Sequence, residues 1–482
     1  MTSLLNKKNN DLIKWTDKND STNWDVEIDV LIVGCGGCGL VAGLAAAQKG
    51  AQVFIVEKQK TGGGNTSLGQ GMFPAAGSKV QKDAGIDDSP EQMAMDIQAK
   101  NLGESDPDMT LHFARETGRL VDWLDQSEEI HLDLVTNFLY PGHSRHRIHA
   151  PKTTDGSRLV HQLTQAATRY DNLFIAYGAS VRRLIADPLN NTVLGAEIDI
   201  QGTGINLARA TKTILACNGF AGNKKMVDQY IPEMSDALYF GSEGNTGEGI
   251  LWGEALGGEL VNMQAYQGHG SVAHPHGTLL TWAVISLGGY QVNRQGKRFV
   301  NENQGYSEHA LDVLAQDGEV AIEIFDQRIF DEVQTYEDFQ KCIKMGAVKS
   351  FSTMEELAAI FRIDPLELVK THNAFQAGAG EGKKDSMGRR DVLQPLSPPY
   401  YGVQVTGALF HTQGGLNVDK KGQVLTPSGI PVPNLYAGGG TAVGLSGNRI
   451  SGYLSGNGLL SALTFGLLAG ENAAKSVMEK NK

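Results

Sequence analysis

The hydrophobic positions of this chain fall into runs of two kinds. Val30 to Val33 is short and continuously apolar, the pattern of a strand buried on both faces, and Val53 to Val56 repeats it just before the acid Glu57. Leu40 to Lys49, between them, has helical spacing. Ala210 to Phe220 and Ile430 to Gly440 are two more apolar runs that end in glycine turns, and Ser455 to Gly466 predicts a helix with a glycine-rich start. Helices are also expected over Ser89–Leu102 and Asp108–Gln126, the second capped by Asp108 with Leu111, Val121 and Leu124 facing inward. Strands of one kind at both ends of the chain predict an α/β domain split around an insertion.

That insertion, about Met263 to Gly407, reads differently. It holds a strand-like Gly289–Val292, a turn over Asn293–Lys297, a capping box from Ser352 to Glu355 and an N-cap at Asp364 ahead of Pro365. Gln394 to Pro399 reads as an extended return linker. The expected division is a loose tail over 1–24, a first domain part over 25–262, the insertion over 263–407 and a second domain part over 408–482, with no internal repeats.

The junction between the first two strands carries chemistry. Gly34, Gly36 and Gly39 have G-x-G-x-x-G spacing, placed after a strand and at the start of a helix. The first permits a tight turn, the second lets backbone approach a pyrophosphate, and the third lets helix and strand pack closely. The helix N-terminus offers free N–H groups to the phosphates. Glu57 is placed to accept hydrogen bonds from a ribose diol. Dinucleotide binding follows. A second glycine-rich loop, Thr61 to Gly71, suits backbone running close to a bulky flat cofactor.

Composition narrows the partners. The 482 residues carry a formal net charge of −12, which disfavours nucleic acid and anionic membranes. No segment is apolar enough to span a bilayer, and the polar stretch from Met1 to Trp24 has no signal-peptide core, so the cytoplasm is the expected compartment. Of the four cysteines, Cys35 and Cys38 have C-x-x-C spacing, but they fill small-residue slots of the phosphate loop and read as packing, not as a redox pair. No metal site is expected, because no second pair exists.

Taken together, the glycine fingerprint, Gly63-Gly-Asn-Thr66, Thr246-Gly-Glu-Gly249, Gly296 to Glu302, Gly414-Gly415 and Asn434 to Gly438 resemble the flavoproteins grouped with fumarate reductase, succinate dehydrogenase and 3-ketosteroid dehydrogenases. The resemblance covers nearly the whole chain after the tail. It implies a Rossmann-like split FAD-binding domain with an inserted α+β capping domain, and substrate held between them. It further implies FAD contacts from Gly34, Gly36, Gly37, Gly39, Glu57, Lys58, Gly63, Gly64, Asn65, Thr66, Gly69 and Gly71. Val181, Cys217, Gly219, Gly439, Gly440, Asn457 and Leu459 complete that set. Some members attach FAD to a histidine in the second glycine loop; the matching position here is Asn65, so non-covalent FAD is expected.

The chain departs from the fumarate reductases where they hold a dicarboxylate. Their catalytic arginine falls on Tyr306 and their second arginine on Tyr453, with the relay places on Trp282 and Ile285. A histidine before a proline is matched by Tyr266, and His411 stays near its place. A dicarboxylate in such a site would leave charges unpaired in a dry pocket. The pattern is instead similar to the ketosteroid dehydrogenases. That resemblance implies desaturation of a cyclic ketone: Tyr306 removes the α-proton, and Tyr453 with the Gly456 N–H stabilises the enolate. A phenol's ordinary pKa is near 10, so Tyr306 has to be poised by its neighbours.

Tyr140, ahead of Pro141-Gly142, is a possible third site tyrosine, although packing is the simpler reading. His269, His274 and His276 read as surface or pocket-wall residues, and Arg449 as either a carboxylate contact or a surface pair. Oxygen, a quinone or another acceptor would take the electrons. The alternatives are a flavin-dependent reductase of an activated alkene and, from a different class, a flavin-binding subunit without turnover.

Overall fold

The computed structural model describes residues 11–18, 22–380, 383–392 and 394–479. Of the expected loose tail, residues 1–10 and 19–21 lie outside the described residues. Ile13–Trp15 is not loose: it forms an edge strand parallel to Leu184–Ala186, with Ile13 buried.

Val26–Val33 sits inside a nine-stranded sheet, flanked by Val53–Glu57 and by Gly204–Leu215, both parallel to it. Val30 to Ile32 are wholly buried, as a central parallel strand requires. The strand Pro431–Ala437, more than two hundred residues later, enters the same sheet parallel to Thr213–Leu215. The 22-residue helix Asn457–Met478 then packs along the helix Gly37–Gln48. The sheet is therefore assembled from both ends of the chain, and both helices start at its C-terminal edge.

Two glycines show why the fingerprint folds this way. Gly34 has φ +108°, a conformation that side chains avoid. A Cβ on Gly39 would stand 1.9 Å from the Gly34 carbonyl oxygen, so the helix can approach the strand only with glycine there. Gly39→Ala is expected to push the helix off the strand and weaken FAD binding at least tenfold, about 1.4 kcal/mol; flavin retained on gel filtration would read the loss.

A second, seven-stranded sheet is built on the 13-residue strand Tyr400–Thr412, paired antiparallel with Tyr266–Ala273 and Val320–Asp326. Register shifts at Gln267/Gly268 and between His269 and Val272 twist the end of its neighbour toward the first sheet. Helix starts in this region follow the sequence with small displacements. Asp364 caps Pro365–Gly378 as expected, accepting N–H bonds from Leu366 and Glu367. The capping box is shifted by one residue: Thr353 accepts from the Glu356 N–H, and the Glu356 carboxylate accepts from Ser352. Asp106, not Asp108, caps Pro107–Leu124, because Pro107 takes the first helical position.

The Gly296-to-Glu302 motif has a structural use. Arg298 meets Glu302 and Asp385 at 2.6 Å each, and Arg389 meets Asp391 at 2.8 Å while donating to the carbonyls of Ile285 and Gly289. These paired cations hold the Glu302 carboxyl down at about 2. The network pins the segment that follows Trp282 and the approach to Tyr306.

Candidate active site

A cavity lies between the two sheets, and its lining divides into two ends. One end is the glycine fingerprint. Gly34, Gly36, Gly37, Glu57, Lys58, Gly63, Gly64, Asn65, Thr66, Gly69 and Gly71 line it, joined by Val181, Cys217, Gly439, Gly440 and Leu459. Gly39, Gly219 and Asn457 are outside the lining: Gly39 backs onto Gly34, Gly219 onto Thr412, and Asn457 is fully buried at the start of its helix.

The local geometry at this end suits a dinucleotide. The helix Gly37–Gln48 begins at Gly36 with no side-chain cap from that residue and no acid in its first turn; the Gly37 N–H donates to the Thr66 hydroxyl at 3.1 Å, and the rest of the turn suits an anion. Glu57 is oriented by the N–H groups of Cys35 and Gln59, each at 2.9 Å. The helix Asn457–Met478 is a second uncapped N-terminus beside the cavity. Buried Asn457 has both side-chain polar atoms unpaired. Asn65 spends its carbonyl oxygen on the Ser242 N–H and the Asn245 amide and donates to the Phe410 carbonyl. Cys35 and Cys38 are free and buried, and burial pushes both thiols up to about 12, where they are inert packing groups.

The other end is aromatic. Tyr306 and Tyr453 lie with ring centroids 6.0 Å apart, and Tyr140 meets Tyr306 edge-on at 6.4 Å. All three are buried and line the cavity. The Ser455 hydroxyl, the Gly456 N–H and the Tyr453 hydroxyl face the Tyr306 oxygen and favour its phenolate. Burial outweighs these donors and pushes Tyr306 up to about 12, so it is protonated at neutral pH, contrary to a phenol already poised downward. Tyr453 and Tyr140 are raised further, again by burial.

Gly456 lines the cavity with both tyrosines. It is the Gly458 N–H that donates to the Tyr453 hydroxyl, at 3.1 Å. His411 packs under this group: a Cβ on Gly458 would come within 2.5 Å of its ring. The Tyr140 hydroxyl meets Gln70 and Met72, both at 3.4 Å.

The tyrosine end has no charge. Among the described residues lining the cavity, the charged ones are Glu57, Lys58 and Glu248, all at the fingerprint end, with Lys58 and Glu248 paired at 2.7 Å. Arg449 points away and pairs with Glu104 at 2.6 Å, its side chain 62% exposed, so the carboxylate-contact reading fails. Burial holds His411 down at about 4 and His269 at about 3, leaving both neutral. No cluster that would hold a metal occurs among the described residues. Among these residues, too, no helix is long and apolar enough to cross a membrane.

Two contributors, Ser455 and Gly458, escaped the sequence analysis, and two that it named, His269 as a pocket-wall residue and Trp282 at a relay place, take closer positions than it gave. His269 stacks on Tyr306 at 4.8 Å, while Tyr266, the position chosen by counting, turns its hydroxyl to Glu233. The bulged register turns His269 inward; His274 and His276 lie at the far end of the same strand. Trp282 sets its ring edge-on to His269 at 5.7 Å. Ser455 and Gly458 flank the anticipated Gly456, and the density of small residues after Tyr453 was the available signal.

Comparison with known proteins agrees with this geometry. The profile of the FAD binding domain family matches residues 29–459. Fumarate reductase (cytochrome) of Shewanella frigidimarina is 31% identical over 461 residues, covering 93% of this chain and 77% of that one. The structure of a flavocytochrome c3 fumarate reductase in its open conformation superposes with a TM-score of 0.78 at 27% identity, covering 95% of this chain and 79% of that one. The 3-ketosteroid-delta4-(5alpha)-dehydrogenase of Rhodococcus jostii, in complex with 4-androstene-3,17-dione, superposes with a TM-score of 0.74 at 25% identity, covering 96% and 99%.

Proposed function

This chain belongs to the FAD binding domain family, and from that premise we propose that it desaturates a neutral cyclic ketone to the α,β-unsaturated ketone. It is an FAD-dependent oxidoreductase acting on CH–CH groups. The observation that carries the finer reading is the uncharged, phenol-lined end of the cavity. A dicarboxylate there would be desolvated without a cation to pair it. A ketone needs only hydrogen-bond donors.

When bound, FAD supplies a hydride acceptor at N5. The protein groups handle the proton and the oxygen. The ketone oxygen accepts from the Tyr453 hydroxyl, whose own oxygen accepts from the Gly458 N–H at 3.1 Å and so leaves its O–H free to donate. Donors fixed in a dry site stabilise the enolate charge as it forms. Tyr306 takes the α-proton. Its own proton is first lost to bulk water, so only the phenolate fraction takes the α-proton. His269 and Trp282 press on the Tyr306 ring and exclude water from its faces. The electrons leave to oxygen, a quinone or another acceptor.

One observation favours the reverse reaction as a second reading. Tyr306 is protonated at rest, and a protonated phenol is ready to donate to an activated alkene. The pH dependence separates the two. With the group raised to about 12, its phenolate fraction grows about tenfold per pH unit below that value. Ketone-driven flavin reduction is therefore expected to climb across neutral and alkaline pH, whereas enone-driven reoxidation would stay flat.

Anaerobic mixing with a panel of cyclic ketones, with fumarate and enones as controls, tests the assignment. Bleaching by a ketone is the expected result. No bleaching by any ketone, together with rapid reoxidation of reduced enzyme by an enone, would replace desaturation with alkene reduction. No spectral response to any of them would leave the flavin-subunit reading.

A further inference from the structure

Residues Tyr140 to His143 form a tight turn behind the tyrosine site. The His143 N–H donates to the Tyr140 carbonyl at 3.1 Å, with Pro141 second and Gly142 third at φ +87°. The turn sends its two end side chains to different places. Tyr140 lines the cavity. His143 is buried on the other side of the 454–456 segment and sets Nε2 3.0 Å from the Ser455 carbonyl oxygen. A carbonyl only accepts, so Nε2 carries the proton and the imidazole is a donor. Its Nδ1 is buried with no partner, so Ser455 is the side chain's only hydrogen-bond partner among the described residues.

The Ser455 carbonyl and the Gly456 N–H belong to one trans peptide and point in opposite directions. Holding the carbonyl on one side therefore aims the N–H to the other, toward the cavity that Gly456 and Tyr306 both line. Gly456 itself does not fix this plane. At φ +84° with no side chain it is free to rotate. We propose that His143 is a positioning residue: by gripping the Ser455 carbonyl it locks the 455–456 peptide and keeps the Gly456 N–H facing the Tyr306 oxygen. The inference rests on Tyr306 being the proton-transferring group, but not on which substrate it serves.

The test uses flavin-loaded protein with fluorotyrosine at position 306, titrated by fluorine NMR in wild type, His143→Gln, His143→Asn and His143→Leu. Glutamine places an amide N–H at the reach of Nε2; asparagine stops one bond short. The Tyr306 midpoint is expected to rise about one pH unit, a tenfold change, in the Asn and Leu variants and to return toward wild type in Gln. Flavin reduction should slow about tenfold in the same two variants with KM nearly unchanged. If leucine prevents flavin loading, the Asn and Gln pair carries the comparison. An unmoved midpoint in His143→Asn, or a Gln variant no closer to wild type than Asn, overturns the inference. Ketone bleaching without any midpoint shift would overturn it alone. A midpoint shift without bleaching by any ketone would support it and sink the desaturase reading.

Discussion

Tyr306→Phe is expected to slow ketone-driven flavin reduction about a hundred- to ten-thousand-fold, the range lost when a positioned acid or base is removed. The substitution is narrow. The ring's stacking on His269 and its contacts with Trp282 and Tyr453 survive, because none of them needs the hydroxyl. What is lost is the phenol oxygen at the end of the cavity that Ser455, Gly456 and Tyr453 also line. Stopped-flow bleaching within a few-fold of wild type would remove Tyr306 from the proton-transfer role.

Tyr453→Phe should be the next most damaging change, at about a hundred- to a thousand-fold in the rate of flavin reduction. The Tyr453 hydroxyl, held by the Gly458 N–H at 3.1 Å, is the donor to the developing enolate, and the substitution removes it. The signature is selective. Ground-state binding of the ketone should weaken little, whereas affinity for a phenolate that mimics the enolate should fall with the rate. A variant that loses ketone affinity and retains its rate would mean that Tyr453 merely holds substrate.

The sequence exposed the frame of the protein because the frame depends on local rules. The apolar runs ending at Val33 and Val56 and the spacing of Gly34, Gly36 and Gly39 are short-range signals, and their strands and helix appear where expected. The single-residue displacements, Thr353 for Ser352 and Asp106 for Asp108, arose where two adjacent residues have nearly equal capping ability and a proline or a glutamate decides between them. The site was legible in residue type and less so in register. Tyr306, Tyr453, His411 and Tyr140 do line one cavity. Which amide serves which phenol was not readable, because Gly456 and Gly458 differ only in how a 3-10 turn over Ile450–Gly452 feeds the last helix. That His269 and not Tyr266 stacks on Tyr306 follows from strand irregularities that counting along a regular strand misses. The state of Tyr306 depends on how much of it is buried, which spacing does not report.

Asn65 has a consequence for how this protein could have changed over its history. Its amide joins three segments at once, accepting from Ser242 and Asn245 and donating to the Phe410 carbonyl on the long strand of the second sheet. A histidine bonded to a flavin through one ring nitrogen has too few polar atoms left to make all three contacts. A lineage acquiring a tether at this position would have to rebuild the joint between its two sheets in the same step. Freely exchangeable flavin is thus part of how the protein is held together, and single substitutions at residue 65 lead away from a folded enzyme before they lead to a tethered one.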